Sequence, residues 1–244
     1  MSHLPTSITD RPTSSSPGRR GGGGRGRGRP DDSPTVKVSK ALSYVLRHGA
    51  EKVNIPIRSD GYVLVSDLAK HPPLRNVSLA DIQKIVASNE KQRFALREEP
   101  RVGTAGTVWL IRANQGHSVQ VSIEMHQILT ATEAPLVIHG TFLPSWGTIC
   151  QQGLKPMTRQ HIHFAAGLPG KDAGVISGMR KSCDVYIYID MPKALASGIP
   201  FFRSANNVIL SPGNERGVIL PEFFAKQVKV LVIIGDMLPP FGTH

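Results

Sequence analysis

Cysteine is nearly absent: Cys150 and Cys183 are the only two in 244 residues. That is too few for a disulfide framework or a cysteine-based metal site, and it fits a reducing compartment. Long apolar runs are missing as well. The longest, near Val228–Ile234, is strand-sized and far from the roughly 18 residues a membrane span needs. The first 30 residues contain no apolar stretch of the kind that secretory signals carry. These absences argue against membrane-spanning, secreted-scaffold and zinc-finger readings, so a location inside the cell, in cytoplasm or nucleus, is expected. Nor does any Gly-x-Gly-x-x-Gly follow a strand pattern, and there is no Gly-Lys-Ser/Thr, so the usual dinucleotide and P-loop phosphate cradles are lacking. Acidic residues are scarce, 18 Asp+Glu against 29 Lys+Arg, for a formal charge of +11. Such a surplus favours a polyanionic partner, nucleic acid above all, without specifying any chemistry.

Hydrophobic residues make up 40% of the chain, enough for a folded protein with one large or two smaller cores. The positive charge is spread along it. Residues 1–34 hold six Arg and three Asp, leaving +8 of the +11 to the remainder. This Gly/Arg/Ser/Pro-rich stretch cannot bury enough apolar surface to offset chain entropy and is expected to be disordered. Its Arg-Gly repeats suit either a loose grip on RNA or a solubilising leader.

After Pro34 the pattern changes. Val36, Val38, Leu42, Val45 and Leu46 recur at helical spacing, with Gly49 as the stop and Arg47 and His48 in the last turn. Ser66 or Asp67 opens a short helix ending before Pro72, and Ser78 with Asp81 caps another that carries Ile82, Ile85 and Val86. Strand patterns follow at Arg93–Leu96 and Val108–Ala113, around a turn at Gly103–Gly106. Three helices and a β-hairpin suggest a winged-helix-like unit. A polar stretch near 119–134 marks a junction. Beyond it, short strand patterns at 136–138, His161–Ala165, Val185–Ile189, Val208–Leu210, Val218–Leu220 and Val228–Ile234 alternate with short helices at Ser145–Gln152 and Pro192–Ala196. That mixture predicts an α+β unit rather than a doubly wound sheet.

Polar residues stand out against this background. Arg47, Arg93, Arg112 and Arg159 lie at the ends of expected elements, where several guanidinium forks could converge on a phosphate dianion. Taken one at a time, each is equally an ordinary solvated Arg. His161 and His163 are two apart and share one strand face. With His117 and His139 they lack any carboxylate or Cys at metal-ligand spacing, so no metal is expected. They suit hydrogen bonding to ribose hydroxyls, or half-buried core positions. Gly140, beside His139, could admit a ligand close to the backbone. No Gly-x-Ser-x-Gly elbow and no paired carboxylates support hydrolase or glycosidase chemistry.

Six motifs occur in order: Ser39-Lys40-Ala41-Leu42-Ser43-x-x-Leu46-Arg47-His48-Gly49, Asp60-Gly61, Lys91-Gln92-Arg93-Phe94, Ile111-Arg112-Ala113-x-Gln115-Gly116-His117-Ser118, His139-Gly140-Thr141, and Met157-x-Arg159-x-His161-Ile162-His163. Over about residues 36–225 the chain resembles the RNA 2′-phosphotransferase (tRNA 2′-phosphotransferase) family, its vertebrate members in particular. The resemblance implies an α+β chain: a tail at 1–34, an N-terminal winged-helix-like RNA-binding domain at 35–125, and an ADP-ribosyltransferase-like α/β domain for NAD⁺ at 126–244. It implies transfer of an internal RNA 2′-phosphate, such as one at a tRNA splice junction, to NAD⁺. The phosphate displaces nicotinamide to give a 2′-phospho-ADP-ribosylated RNA. Attack by the neighbouring ribose hydroxyl then releases 2′-OH RNA and ADP-ribose 1″,2″-cyclic phosphate. NAD⁺ is a consumed co-substrate, no metal or membrane is involved, and a monomer is expected.

The family's catalytic set maps onto Arg47, His48, Arg93 and Arg159. Arg112 and His117 join them in binding substrate phosphate and RNA, while His139, Gly140, Thr141, His163 and Asn206 fall on the NAD⁺ pocket. His48, at a helix end beside anions, is expected to hold its proton more firmly than free imidazole. Asn207 stands where the family usually has Gly, a position Asn tolerates. The Glu of protein-modifying transferases is not evident on the last strands. The main alternative is a nucleic-acid phosphate ADP-ribosyltransferase that stops after the first step; the other is an RNA-binding adaptor without activity.

Overall fold

A computed structural model describes residues 32–230 apart from 169, 173–174, 181 and 226–228. The expected disordered tail therefore lies outside the described residues up to 31, while Asp32 and Ser33 precede the first helix and Pro34 opens it. Ser33 caps that helix, α1 (Pro34–Tyr44), by accepting from the Val36 amide, and Pro34 supplies a preset φ at its first position. Leu42, Val45 and Leu46 are wholly buried along its inner face. The helical path ends at Gly49 as its sequence suggests, but its last turn is not α-helical. It widens into a π-turn over Val45–Gly49, the kind of local unwinding often found at functional sites, and this turn carries Arg47 and His48. Gly49 is required for space, because a Cβ there would lie 2.4 Å from the Tyr44 ring.

A 3₁₀ turn at Val65–Lys70 follows, then α2 (Leu79–Ala87), which opens on the expected Ser78/Asp81 capping box. Strands β1 (Val63–Leu64), β2 (Phe94–Pro100) and β3 (Thr107–Ala113) form an antiparallel sheet in the order β1-β3-β2, with Phe94 opposite Ala113. Its core gathers Leu42, Leu46, Ile82, Ile85, Phe94 and Ile111.

The second sheet has seven strands among the described residues, every neighbouring pair antiparallel. They are β4 (His126–Ile128), β5 (Ile138–Thr141), β6 (Ile162–Ala165), β7 (Val185–Tyr188), β8 (Phe201–Arg203), β9 (Val208–Ser211) and β10 (Lys229–Val230). Their spatial order is β10-β7-β5-β6-β9-β8-β4, with α3 (Leu143–Gln152) following β5 and α4 (Met191–Ala196) following β7. Phe164, Phe201, Ile187 and Ile209 anchor a core separate from the first. The architecture is thus mixed α+β with antiparallel sheets. Three expectations shift. Val218–Leu220 makes only an isolated bridge from Ile219 to Leu154, β4 arises within the stretch read as a junction, and β8 was not anticipated. Of the expected strand at 228–234, residues 229–230 pair with β7 and the others lie outside the described residues.

Two glycines of α3 should respond oppositely to the same change. Gly147 sits inside the helix with nothing within 4 Å of an added Cβ, so Gly147→Ala should raise stability by about 0.5–1 kcal/mol. Gly153 ends the helix at φ 82°, ψ −178°, and an added Cβ would lie 2.3 Å from the Ile219 carbonyl oxygen. Gly153→Ala should therefore lower stability, by at least about 1–3 kcal/mol. Urea denaturation of the two variants checks both signs.

Candidate functional site

The widened turn after α1 and the segment after β3 meet at the junction of the two sheets. The Ser118 amide donates to the Arg47 carbonyl at 2.9 Å, and the Ser118 hydroxyl shares a 2.9 Å hydrogen bond with His48 Nδ1. Gly116, at φ 89°, lies against the Arg47 side chain, whose Cδ and Nε are 3.5 Å from where a Cβ would stand. Arg93 precedes β2, in contact with Asn89 through both its backbone amide (3.2 Å) and its guanidinium (3.3 Å). Arg159 comes from the second sheet's side, in the turn leading to β6.

These cations act on one another. Burial foremost, then the charges of Arg159 and Arg93, pull the Arg47 guanidinium down to about 10. Burial also lowers Arg93 and Arg159, the latter with help from Arg180. Among the described residues none of Arg47, Arg93, Arg159 or Arg180 makes an ion pair with a carboxylate. Arg47 Nε and Nη2 are buried with no hydrogen-bond partner. Buried charge without a counter-ion is costly, so this arrangement is complete only with an anion present.

The histidines are kept neutral. Burial, with the Arg47 charge next, lowers His117 to about 4, and burial with Arg159 lowers His163 to about 3. His48 departs from the sequence expectation: burial and then Arg159, Arg47 and Lys52 push it down, not up. Sequence places it at a helix end near expected anions, but the fold surrounds it with cations instead. His139 Nδ1 donates to the His163 carbonyl at 2.9 Å, while His163 Nε2 donates to Gln115 Oε1 at 2.7 Å across the sheet junction.

Next to Arg159 a cleft of about 620 Å³ is lined by His139, Thr141, Ser145, Thr148, His163 and Arg180, among others. His139, Thr141, Arg159 and His163 therefore come together as anticipated. Gly140 has a different role from the one expected. A Cβ there would lie 2.7 Å from Cys183 Sγ and 3.0 Å from Met179, so its missing side chain makes room for packing, not for a ligand. Asn206 is not on the cleft wall; it is buried and donates to the Lys91 carbonyl at 3.0 Å, tying the second sheet's side to the segment before Arg93. Asn207 does adopt a positive φ of 59°. Arg112 stands apart from the cation set, its guanidinium 4.8 Å over the Tyr62 ring and 3.4 Å from the Asp60 carbonyl. Arg180 and Gln115 were missed as site residues. Arg180 sits in a loop with no periodicity to flag it, whereas Gln115 lay inside a motif that already drew notice.

A family model described as RNA 2′-phosphotransferase, Tpt1/KptA family, matches residues 33–213. The chain is 48% identical over 213 residues to tRNA 2′-phosphotransferase 1 of Homo sapiens, covering 85% of this chain and 82% of that one. It is 40% identical over 189 residues to tRNA 2′-phosphotransferase of Saccharomyces cerevisiae, covering 74% and 80%. Similarity extends to a probable RNA 2′-phosphotransferase of Rhizobium johnstonii, 35% identical over 177 residues, covering 72% and 88%.

The buried imidazoles set an acid limit on stability. His117 and His163 titrate near 6.5 when unfolded but at about 4 and about 3 in the fold. Below pH 6.5 the unfolded chain therefore binds more protons, and stability falls as pH drops, by up to about 1.4 kcal/mol per pH unit for a fully buried imidazole. Above pH 6.5 their contribution is constant. Melting temperatures from pH 7.5 to 4.5 in phosphate-free buffer should fall with acidity, with a shallower slope for His117→Gln. A level profile in the unaltered protein would refute the buried neutral state.

Proposed function

Because the chain belongs to the RNA 2′-phosphotransferase (Tpt1/KptA) family, we propose that it removes an internal 2′-phosphate from RNA, spliced tRNA in the first place, by transferring it to NAD⁺. The observation that carries this reading is Arg47, whose buried Nε and Nη2 have no partner, grouped with half-buried Arg93 and the more exposed Arg159, none of the three paired with a carboxylate among the described residues. A phosphate monoester dianion supplies the missing charge and acceptors. The relatives' names point to the same group on RNA. A helical N-terminal half with a β2–β3 hairpin supports a winged-helix RNA-binding domain, and the antiparallel second sheet supports an ADP-ribosyltransferase-like one.

The cleft beside Arg159 suits NAD⁺. Hydroxyls of Thr141, Ser145 and Thr148 and the Nε2 lone pair of His139 suit ribose and amide groups, and Arg159 and Arg180 suit the diphosphate. NAD⁺, consumed as a substrate, offers its anomeric C1″ as electrophile, nicotinamide as leaving group and a neighbouring hydroxyl for the second step. Arg47 and Arg93 hold the RNA phosphate so that one oxygen faces C1″, removing much of the entropic cost of the encounter. In the second step the cation set steadies charge on phosphorus while the P–O2′ bond breaks and the RNA oxygen takes up a proton. His48, bonded to Ser118, is placed to hydrogen-bond the phosphate.

The direct test mixes the protein with a short RNA bearing one internal 2′-phosphate, with and without NAD⁺, and follows RNA and small molecules by mass spectrometry. NAD⁺-dependent phosphate loss with nicotinamide and ADP-ribose 1″,2″-cyclic phosphate is the expected result. RNA that keeps its phosphate and gains ADP-ribose would identify a transferase that stops halfway. Arg47→Met should lower kcat at least about 10²–10³-fold, the usual cost of one lost charge-stabilising donor. The same change removes an unpaired buried charge, so it should raise the melting temperature, by about 2–4 °C for each kcal/mol gained.

His48 provides a second check. Burial and the charges of Arg159, Arg47 and Lys52 make it hold its proton weakly, and a bound dianion raises that pKa, so RNA binding takes up a proton. Affinity for the 2′-phosphorylated RNA should fall as pH rises from 5.5 to 8, and His48→Asn should flatten that dependence in fluorescence anisotropy titrations. A flat profile in the unaltered protein would dismiss the titrating role.

A further inference from the structure

A second cavity, of about 280 Å³, opens where the two sheets meet and shares only His161 and His163 with the cleft. Asn114, Gln115 and His117 enter it from the segment after β3, and Ile123, Met125 and Leu210 add apolar wall. Two of its lining residues carry buried polar atoms with no partner, Asn114 Oδ1 and His117 Nε2. Asn114 is 6% exposed and His117 3% exposed. The amide of Asn114 has a fixed sense. Its Nδ2 donates to the Gln92 carbonyl at 2.7 Å, which leaves Oδ1 as a pure acceptor. Buried acceptors and imidazole nitrogens are rarely left unmatched, and the cavity is just under the roughly 300 Å³ at which small-molecule pockets begin.

We propose that this cavity holds a nucleobase of the RNA strand, that of a nucleotide adjoining the one with the 2′-phosphate. The inference rests on the functional reading above. Apolar walls with a few converging polar groups suit a flat heteroaromatic ring, and Asn114 Oδ1 calls for a donor on its edge, an exocyclic amine of adenine, cytosine or guanine or the N3–H of uracil. Location favours RNA over the dinucleotide. Gly116, on the cavity wall, lies against the Arg47 side chain, so a base seated there continues directly from a phosphate held by Arg47. The dinucleotide has the larger cleft on Arg159 and Arg180.

The test uses the full chain and short 2′-phosphorylated RNAs whose 5′ or 3′ neighbour is adenine, cytosine, uracil or abasic. RNA binding is read by anisotropy, and KM is measured separately for RNA and NAD⁺. An abasic site at one of the two neighbours should raise Kd and KM for RNA about tenfold, the weight of one bound base, with kcat unchanged. Met125→Trp, which fills the cavity from its rim, should impose the abasic penalty on ordinary RNA and erase the difference between ordinary and abasic RNA. KM for NAD⁺ should not move. If abasic RNA binds as well as ordinary RNA at both neighbours, the cavity holds water alone and the proposal fails. If Met125→Trp raises KM for NAD⁺ while RNA binding is unchanged, the occupant is the dinucleotide's base and the proposal fails as well. Should Met125→Trp melt early, the abasic series on the unaltered chain decides by itself. Absence of NAD⁺-dependent phosphate loss would sink the functional reading, while anisotropy would still report the base contribution.

Discussion

An unpaired guanidinium at the junction of two sheets governs this molecule. Arg47 is packed against Gly116 and sits within electrostatic reach of Arg93 and Arg159, and no carboxylate pairs with any of the three among the described residues. Elsewhere on the same chain cations are paired in the ordinary way: Arg58 and Arg97 share Asp60 and Glu99. The contrast is local and specific. Stability alone would favour a carboxylate, or an apolar residue in place of Arg47. What the arrangement gains is a preformed site for two negative charges, whose groups need little reorganisation when the anion arrives.

Holding that site open requires the two halves to be fixed relative to one another. Arg47 and Arg93 belong to the first sheet's side and Arg159 to the second's, and misplacement by about 1 Å is enough to spoil in-line chemistry. Polar ties cross the junction, among them a hydrogen bond from Gln160 Nε2 to the Val121 carbonyl at 3.2 Å. Asn206 reaches the Lys91 carbonyl two residues before Arg93, Gln160 donates its amide to the His117 carbonyl next to Arg159, and His163 donates to Gln115. Each tie lands within a few residues of a phosphate-binding candidate. The π-turn serves the same end, since it re-aims Arg47 and His48 without breaking the chain's path from α1.

Much of this was legible in the residues and some was not, for identifiable reasons. The capping box at Ser78 and Asp81, the β2–β3 hairpin and the apolar stripe of α1 are local, and local physics wrote them. Strands β4 and β8 are three residues each and pair with one another at the sheet's edge; nothing in His126–Ile128 or Phe201–Arg203 alternates long enough to show a period of two. The positive φ at Asn207 was readable because Asn is one of few residues that accept it, yet the matching values at Gln92 and Met157, on either side of the site, had no such signal. Arg47, Arg93 and Arg159 were recognisable from ordered motifs. That they lack counter-ions was not, since the absence of a carboxylate nearby is a fact of packing across more than a hundred positions of chain. The same blindness reversed the expectation for His48: sequence placed it near an anion, and the fold placed it near the cations that await one.

The neutral histidines follow from the same excess of charge. A pocket meant for a dianion could be strengthened by further cations, but each would bind reactant and product phosphate alike, and uniform tightening does not accelerate a step. Burial instead holds His117 and His163 far below neutrality, so that they add no charge, and His163 contributes a directional hydrogen bond. Their orientation is fixed through partners: Gln115 takes the His163 Nε2 proton, and the His163 carbonyl takes the His139 Nδ1 proton, which leaves His139 Nε2 a lone pair. On the proposed reading the three guanidinium groups set the affinity for phosphate, while the imidazoles set what else fits and in which sense. Such a division lets the electrostatic field stay constant from pH 7 until Arg47 begins to titrate below about 10, with His48, the imidazole bonded to Ser118 at the proposed phosphate grip, left to respond when the anion binds.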